Sequence, residues 1–297
     1  MARQEKRVTV EGRTLTVSNL DKVLFPETGF TKGQLIDYYV KVAPVMLAHV
    51  GDRPLTMKRY PDGVAKKFFY EKHVPAHAPE WVRTVEVPTS EGDDEVEYAV
   101  VCDLPSLVWA ANLGAIELHV PLWHVGRRRT LPGPPDHLVF DLDPGEGATI
   151  VECSVVARLI DAVVGEMGLE SRAKTSGSKG LQLYATLGGR PAWERSRAQA
   201  RDIATRLEAE HGDLVTSNMR KTLRRGKVLI DWSQNHPSKT TVSAYSVRGR
   251  PRPTVSTPVT WSEVRRCEQK GDPALLEFTT DQVLARIKKK GDLFSTA

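Results

Sequence analysis

His137–Glu146, HLVFDLDPGE, is the stretch whose reading decides the fold. Leu138, Val139, Phe140 and Leu142 run as a buried strand runs, and Pro144-Gly145 ends it. Residues two apart in a strand share a face, so Asp141 and Asp143 project together. Two carboxylates on one face repel unless something positive lies between them. A divalent cation held by hard oxygen ligands relieves that repulsion, and so does a basic side chain. The plain alternative is a strand-end turn in which Asp143 caps the next helix. These ten residues leave both open.

Downstream, Ala148–Gly168 is rich in Val, Ile and Leu and reads as a helix. Ser171–Leu187, SRAKTSGSKGLQLYATL, reads as strand, tight loop, strand. Its loop Ser176–Gly180 holds two glycines, two serines and Lys179. Glycines let backbone N–H groups turn inward as an anion nest, and the lysine adds a full charge. The spacing is not that of a Walker A loop, and a generic Gly/Ser turn is the alternative. Pro191–Gly212 is a charged amphipathic helix. Met219–Lys227, MRKTLRRGK, carries five basic residues in nine, suited to phosphate contacts or to a solvated face. Lys227–Trp232, KVLIDW, is a second buried strand ending in a carboxylate, Asp231. Lys239–Arg250 reads as β-rich and Pro251–Pro258 as a proline-rich link, with helical pieces at Trp261–Val264 and Asp281–Lys290.

Upstream, Arg7–Val17 alternates around Glu11-Gly12 as a hairpin does. Thr31 with Gln34 three residues on makes a capping box, followed by helical spacing at Leu35, Tyr38, Tyr39 and Val42. Lys22 and Lys32 flank the entry to that helix, where a phosphate can bind; two solvated lysines are the simpler alternative. Leu55–Tyr60 reads as a strand with a turn at Pro61-Asp62-Gly63. Lys66-Lys67-Phe68-Phe69-Tyr70 sets aromatics beside lysines, as a stacked base and its backbone need, or as a strand burying one ring would. Thr84–Val101 reads as a long hairpin with an acidic tip at Ser90–Glu95, and Leu104–Leu113 as a short helix. In Ala115–Val120, AIELHV, Glu117 and His119 face one way and Ile116, Leu118 and Val120 the other. Gly126–Pro135 is a basic, proline-containing loop.

The whole chain sets the bounds. Its 297 residues, 40% hydrophobic and 27% charged, suit one large soluble α/β unit. A net charge of +5 leans toward a polyanionic partner. Three widely spaced cysteines suggest neither a disulfide framework nor a zinc site, and point to a reducing setting. The N-terminus has no apolar signal region, and no apolar run is long enough to span a membrane. Three carboxylates at strand ends, with lysines and arginines for a triphosphate, are the equipment of metal-assisted nucleotidyl transfer.

In order, LDKVLFPETGFTKG, KRYPDG, FYEKHVP, IELHV, HLVFDLDPG, TSGSKGL, KVLIDWSQN, TTVSAYSVRGRP and VSTPVTW run nearly the length of the chain. Together they resemble the polymerase domain of bacterial ligase D, in the archaeo-eukaryotic primase superfamily. The resemblance implies an α/β (α+β) fold with a mixed central sheet and an RNA-recognition-like βαβ core. It implies one catalytic domain over 1–297, with a DNA-contacting part in 1–130 and a metal- and nucleotide-binding core in 131–297. It makes Asp141, Asp143 and Asp231 the catalytic, metal-binding carboxylates for two Mn2+ or Mg2+ ions. It assigns His119, Ser176, Lys179, Arg224, Gln234 and Arg248 to the incoming NTP or dNTP. Lys22 and Lys32 become the holders of a DNA 5′-phosphate, and Phe69 and Tyr70 the pair that meets template bases, with Phe68 just outside the match.

The implied reaction is template-dependent addition of nucleotides, ribonucleotides preferred, at short gaps or broken ends of double-stranded DNA. The implied setting is DNA repair in the bacterial cytoplasm, near the nucleoid, by a monomer. End filling in non-homologous end joining, with Ku and an ATP-dependent DNA ligase, competes with gap filling in excision repair. A primase and a catalytically silent DNA-end-binding module are the remaining alternatives. With no ligase or phosphoesterase region in the chain, the expectation is a stand-alone protein, tilted slightly to excision repair. One departure stands out. Many family members read SGxKGxH in the phosphate loop, and Gln182 stands where that histidine would be. Glutamine donates a hydrogen bond but carries no charge.

Overall fold

The computed structural model describes residues 5–89, 94–126, 132–189 and 191–295. Residues 90–93 of the acidic hairpin tip and 127–131 of the basic Gly126–Pro135 loop lie outside them.

The elements in chain order are β1 (Glu5–Val10), β2 (Arg13–Ser18), β3 (Val23–Phe25), β4 (Phe30–Thr31), α1 (Lys32–Val50), β5 (Thr56–Arg59), β6 (Phe69–Glu71), β7 (Thr84–Pro88) and β8 (Glu95–Ala99). There follow α2 (Leu104–Asn112), β9 (Ala115–Val120), β10 (His137–Pro144), α3 (Ile150–Glu166), β11 (Ser171–Thr175), β12 (Leu181–Thr186), α4 (Trp193–Glu210), β13 (Val215–Thr216) and β14 (Val228–Asp231). The last are β15 (Thr241–Val242), β16 (Pro258–Val259), α5 (Trp261–Lys270) and α6 (Thr280–Lys290). No helix among the described residues is long and apolar enough to cross a membrane.

The chain divides into two compact units. The first comprises Met1–Pro132, Thr240–Val255 and Thr279–Gly291, and the second Gly133–Lys239, Ser256–Phe278 and Asp292–Ala297.

In the first unit, β15, β9, β5 and β6 form a four-stranded sheet, beside the hairpins β1–β2 and β7–β8. Helix α1 starts where its capping box says it should: Thr31 accepts from the Gln34 amide, and the Gln34 side chain accepts from the Thr31 amide. Leu35, Tyr38, Tyr39 and Val42 are all buried, as their helical spacing requires. Lys239–Arg250 differs from its β-rich reading. Only Thr241 and Val242 pair with β9, because Tyr245 takes a positive φ of 67° and turns the chain.

The second unit carries a six-stranded sheet in the order β13-β14-β10-β12-β11-β16. Strand β10 lies between β14 and β12, antiparallel to both, and β12 pairs antiparallel with β11. The run β10-α3-β11-β12-α4-β14 is therefore a βαββαβ unit whose strands order as fourth, first, third, second, the split βαβ arrangement of RNA-recognition folds. Leu138, Phe140 and Leu142 point to the helix-covered face and are fully buried with Ile160 and Val164 of α3 and Ala200 and Ala204 of α4. Each large apolar side chain so buried contributes roughly 1.5–3 kcal/mol. The alternate residues Val139, Asp141 and Asp143 take the other face, which fixes where the carboxylates lie. In the proline-rich link 251–258, Thr254 to Pro258 are buried, and Pro258 and Val259 pair with β11 as β16.

Candidate active site

Helix α3 is capped by Thr149, whose hydroxyl accepts from the Val151 amide. Asp143 is thus not the cap of the next helix, and stays exposed at the end of β10. Asp141 is half-buried and is the direct cross-strand partner of both Asp231 on β14 and Gln182 on β12. Gln182 is in turn the partner of Lys174 on β11. Four side chains thus form one transverse row on the face away from α3 and α4: Asp231, Asp141, Gln182, Lys174.

Burial, then repulsion from Asp143, pushes the Asp141 carboxyl up to about 7. Gln182 works against this by hydrogen bonding to it, and Asp231 adds to it. A carboxylate such as Asp141, whose burial and like-charged neighbours disfavour its ionisation, is what a divalent cation stabilises, so the donor chemistry fits a metal. The set is not already closed around one point, for among the described residues no group of three or more His, Cys, Asp or Glu side chains has that geometry. Asp231 explains part of this. One of its oxygens accepts from the Ser233 amide at 2.9 Å and hydroxyl at 2.6 Å, and the other accepts from Gln234 Nε2 at 2.9 Å. Gln234 therefore meets a carboxylate and holds its orientation. Buried Asn235 continues the turn, bonding Val139 N and O at 2.9 and 2.7 Å where β14 has ended.

The Ser176–Gly180 loop connects β11 to β12 beside this row. Ser176 is buried, and its hydroxyl accepts from the amides of Ser178 at 3.2 Å and Gly180 at 3.1 Å. Two amides of the loop are thus organised by the serine itself, while Lys179 is exposed. A side chain at Gly180 would place its Cβ 1.9 Å from the Leu142 carbonyl oxygen, so glycine lets the loop pack on the strand that carries both aspartates. Gly145 does the same for the basic run: its Cβ would fall 1.8 Å from the Arg224 carbonyl oxygen. Arg224 donates to the Met219 carbonyl.

The remaining candidates lie in the first unit. Glu117 on β9 is almost fully buried and gathers four hydrogen bonds and an ion pair with Arg248. Its Oε1 accepts from the Tyr60 hydroxyl (3.0 Å), Lys58 Nζ (3.3 Å) and the Gly249 amide (3.1 Å). Its Oε2 meets His119 Nε2 at 3.0 Å and Arg248 Nε at 3.1 Å. Although burial alone would raise it, the donors hold Glu117 far below the usual carboxylate range. Burial lowers the His119 pKa, against the pull of Glu117. His119 and Arg248 are therefore oriented by one carboxylate, which sequence reading saw only as sharing the His119 face. The Glu117 cluster is extended by rings: Lys58 Nζ lies 4.1 Å from the Phe68 centroid, and Tyr70 meets the His119 ring edge-on at 6.0 Å. Phe68, Phe69 and Tyr70 are all exposed, so none of the three is the buried ring of a strand. Arg59 sits under Phe69 at 5.2 Å and is held by Glu71.

Lys22 and Lys32 both line a cavity of about 590 Å³ with Arg59, Asp62 and His77. Only one of them departs from the picture of two solvated lysines, since the Lys22 side chain is about a third exposed. Lys32 is buried and donates to the Ser18 carbonyl at 2.7 Å, and Lys22 pairs with exposed Asp62 at 2.7 Å.

With the geometry in place, comparison with known proteins decides the family. The model of the LigD primase-polymerase domain matches residues 31–294. The chain belongs to the LigD primase-polymerase family. It is 44% identical over 94% of its length to the multifunctional non-homologous end joining DNA repair protein LigD of Mycobacterium tuberculosis. To the bifunctional non-homologous end joining protein LigD of Bacillus subtilis it is 32% identical over 93% of its length. It spans 36% of the mycobacterial protein and 43% of the Bacillus one. Among solved structures, the polymerase domain of Mycobacterium tuberculosis ligase D in complex with DNA superposes with a TM-score of 0.88 at 43% identity, covering 94% of this chain and 96% of that one. The primase-like fold expected from the motifs is the fold found.

Proposed function

We propose that this LigD-family chain is a template-dependent nucleotidyltransferase, a polymerase that adds nucleotides, ribonucleotides in preference, to a 3′ end at short gaps or broken ends of double-stranded DNA. The observation that carries the reading is the placement of Asp141, Asp143 and Asp231 on one sheet face, with the Ser176–Gly180 loop packed on the same strand. Pure DNA binding has no use for three carboxylates beside a polyanion, which disfavours a silent end-binding module.

Asp141, Asp143 and Asp231 would hold divalent ions, Mn2+ or Mg2+, two in number. Such ions activate the attacking hydroxyl and neutralise charge on the leaving pyrophosphate. The chain's own residues have separate tasks. Ser176 shapes the loop and Lys179 offers a mobile charge to the triphosphate. Arg224 borders the β10 end through Gly145, and Gln234 steadies Asp231. Glu117 orients His119 and Arg248, which we assign to the nucleotide. Phe69 and Tyr70, exposed over their basic neighbours, suit a template base, and the cavity of Lys22 and Lys32 suits a 5′-phosphate. On this reading the two units act as one catalytic domain, in a cytoplasmic, nucleoid-associated monomer.

Relatives named for non-homologous end joining favour end filling with Ku and a DNA ligase over gap filling in excision repair. The test is single-nucleotide addition on gapped duplexes carrying each template base in turn. Addition of only the complementary nucleotide, faster with NTP than dNTP and faster with a 5′-phosphate across the gap, is expected. Addition that ignores the template base would overturn the proposal.

A further inference from the structure

Lys174 is a fully buried ammonium group that the reaction as described does not use. A buried charge is costly, and an apolar residue of similar volume is often cheaper. Its surroundings are nonetheless built for it. The Nζ donates to Gln182 Oε1 and, at 2.8 Å, to Ser256 Oγ, and it lies 5.5 Å from the Tyr184 ring centroid. Ser256 is itself fixed by donating to the Thr175 carbonyl at 2.9 Å. Gln182 then donates to Asp141, and the Lys174 charge reaches that carboxylate directly as well.

We propose that Lys174 is the resident counter-ion of the carboxylate row, holding Asp141, Asp143 and Asp231 together when no divalent cation is bound, and thereby setting how tightly one binds. The amide of Gln182 is the link: its oxygen faces the ammonium and its NH2 group faces the carboxylate, so each end of the dipole meets its complement. Gln182 itself is neutral, and the fixed charge stands one strand further on. The inference rests on the metal reading proposed above. It runs opposite to a purely structural role in one measurable respect. Lys174 and a bound cation are like charges on the same row, about two strand spacings apart, so each weakens the other.

The experiment measures Mn2+ binding by the full chain without DNA or nucleotide, from the electron paramagnetic resonance signal of free Mn2+. Lys174→Met removes the charge at similar volume. Lys174→Gln removes it but keeps N–H donors for Ser256 and Gln182, which guards against a variant that fails to fold. Both should bind Mn2+ roughly tenfold tighter than the wild type. Both should also melt at a lower temperature without metal and gain more from saturating Mn2+. Affinity equal to or weaker than wild type in the folded variants would overturn the proposal while leaving the metal reading intact. A wild type that binds no Mn2+ would overturn the metal reading, and the proposal with it.

Discussion

Asp141 and Asp231 are direct partners across the antiparallel ladder of β10 and β14, so two carboxylates distant in sequence share one spot on one face. Asp143, one pleat further on and exposed, adds its repulsion to Asp141. The crowding opposes stability in the metal-free chain. Asp143→Asn should therefore raise the metal-free melting temperature by ~2 °C, for relief of about 1 kcal/mol or less of like-charge repulsion. The same change should abolish the extra stabilisation by Mn2+. Calorimetry with and without the ion checks both.

Gly180→Ala should act through geometry alone. A methyl group 1.9 Å from the Leu142 carbonyl oxygen must push the loop off the strand. Misplacement of about 1 Å can cost roughly 100-fold in rate, so nucleotide addition should fall by about that factor while Mn2+ binding by the aspartates persists. Steady-state kinetics beside a metal titration separates the two.

Glu117→Gln leaves half-buried Lys58 and Arg248 without their buried carboxylate, which should cost up to about 3–5 kcal/mol. The pH dependence has a definite sign. Because the folded state holds the Glu117 pKa below its ordinary 4.5, the ionised group contributes fully above that value, and the contribution is lost as pH falls toward the folded value. Denaturant titrations should show a constant gap between wild type and Glu117→Gln at neutral pH that narrows below about pH 4.5. A gap that widens in acid would contradict the arrangement.

Lys22→Ala with Lys32→Ala should erase the preference for a 5′-phosphorylated gap and spare simple primer extension. Asp62 sharpens the point. It pairs with Lys22 at 2.7 Å, where an incoming phosphate must compete with it. Asp62→Asn should tighten binding of the phosphorylated gap several-fold, with little change for the unphosphorylated one. Fluorescence anisotropy with both duplexes reads this directly.

What was legible in the sequence followed from periodicity and punctuation. The alternation of Leu138 to Asp143 placed two carboxylates on one face, Thr31 and Gln34 marked a helix start, and the ordered motifs named the family. What was not legible depended on long-range contact. Glu117 shares its face with His119 in sequence, yet nothing local tells that Lys58, Tyr60, Gly249 and Arg248 converge on it. Lys174 sits in a strand pattern that says only that it alternates; its burial against Ser256 comes from the pairing of β16 with β11. The two-residue length of β15 was hidden because the left-handed turn at Tyr245 is unusual for a tyrosine.

On the proposed function, the row containing Asp141 performs metal-assisted nucleotide addition. This is tested most directly by extension of a gapped, 5′-phosphorylated duplex with Mn2+, comparing the wild type with Asp141→Ala. The account predicts templated addition by the wild type and a loss of at least roughly 1000-fold in the variant, equivalent to the several kcal/mol a bound ion supplies. A wild type that adds no nucleotide, or a variant that adds as much, would contradict it.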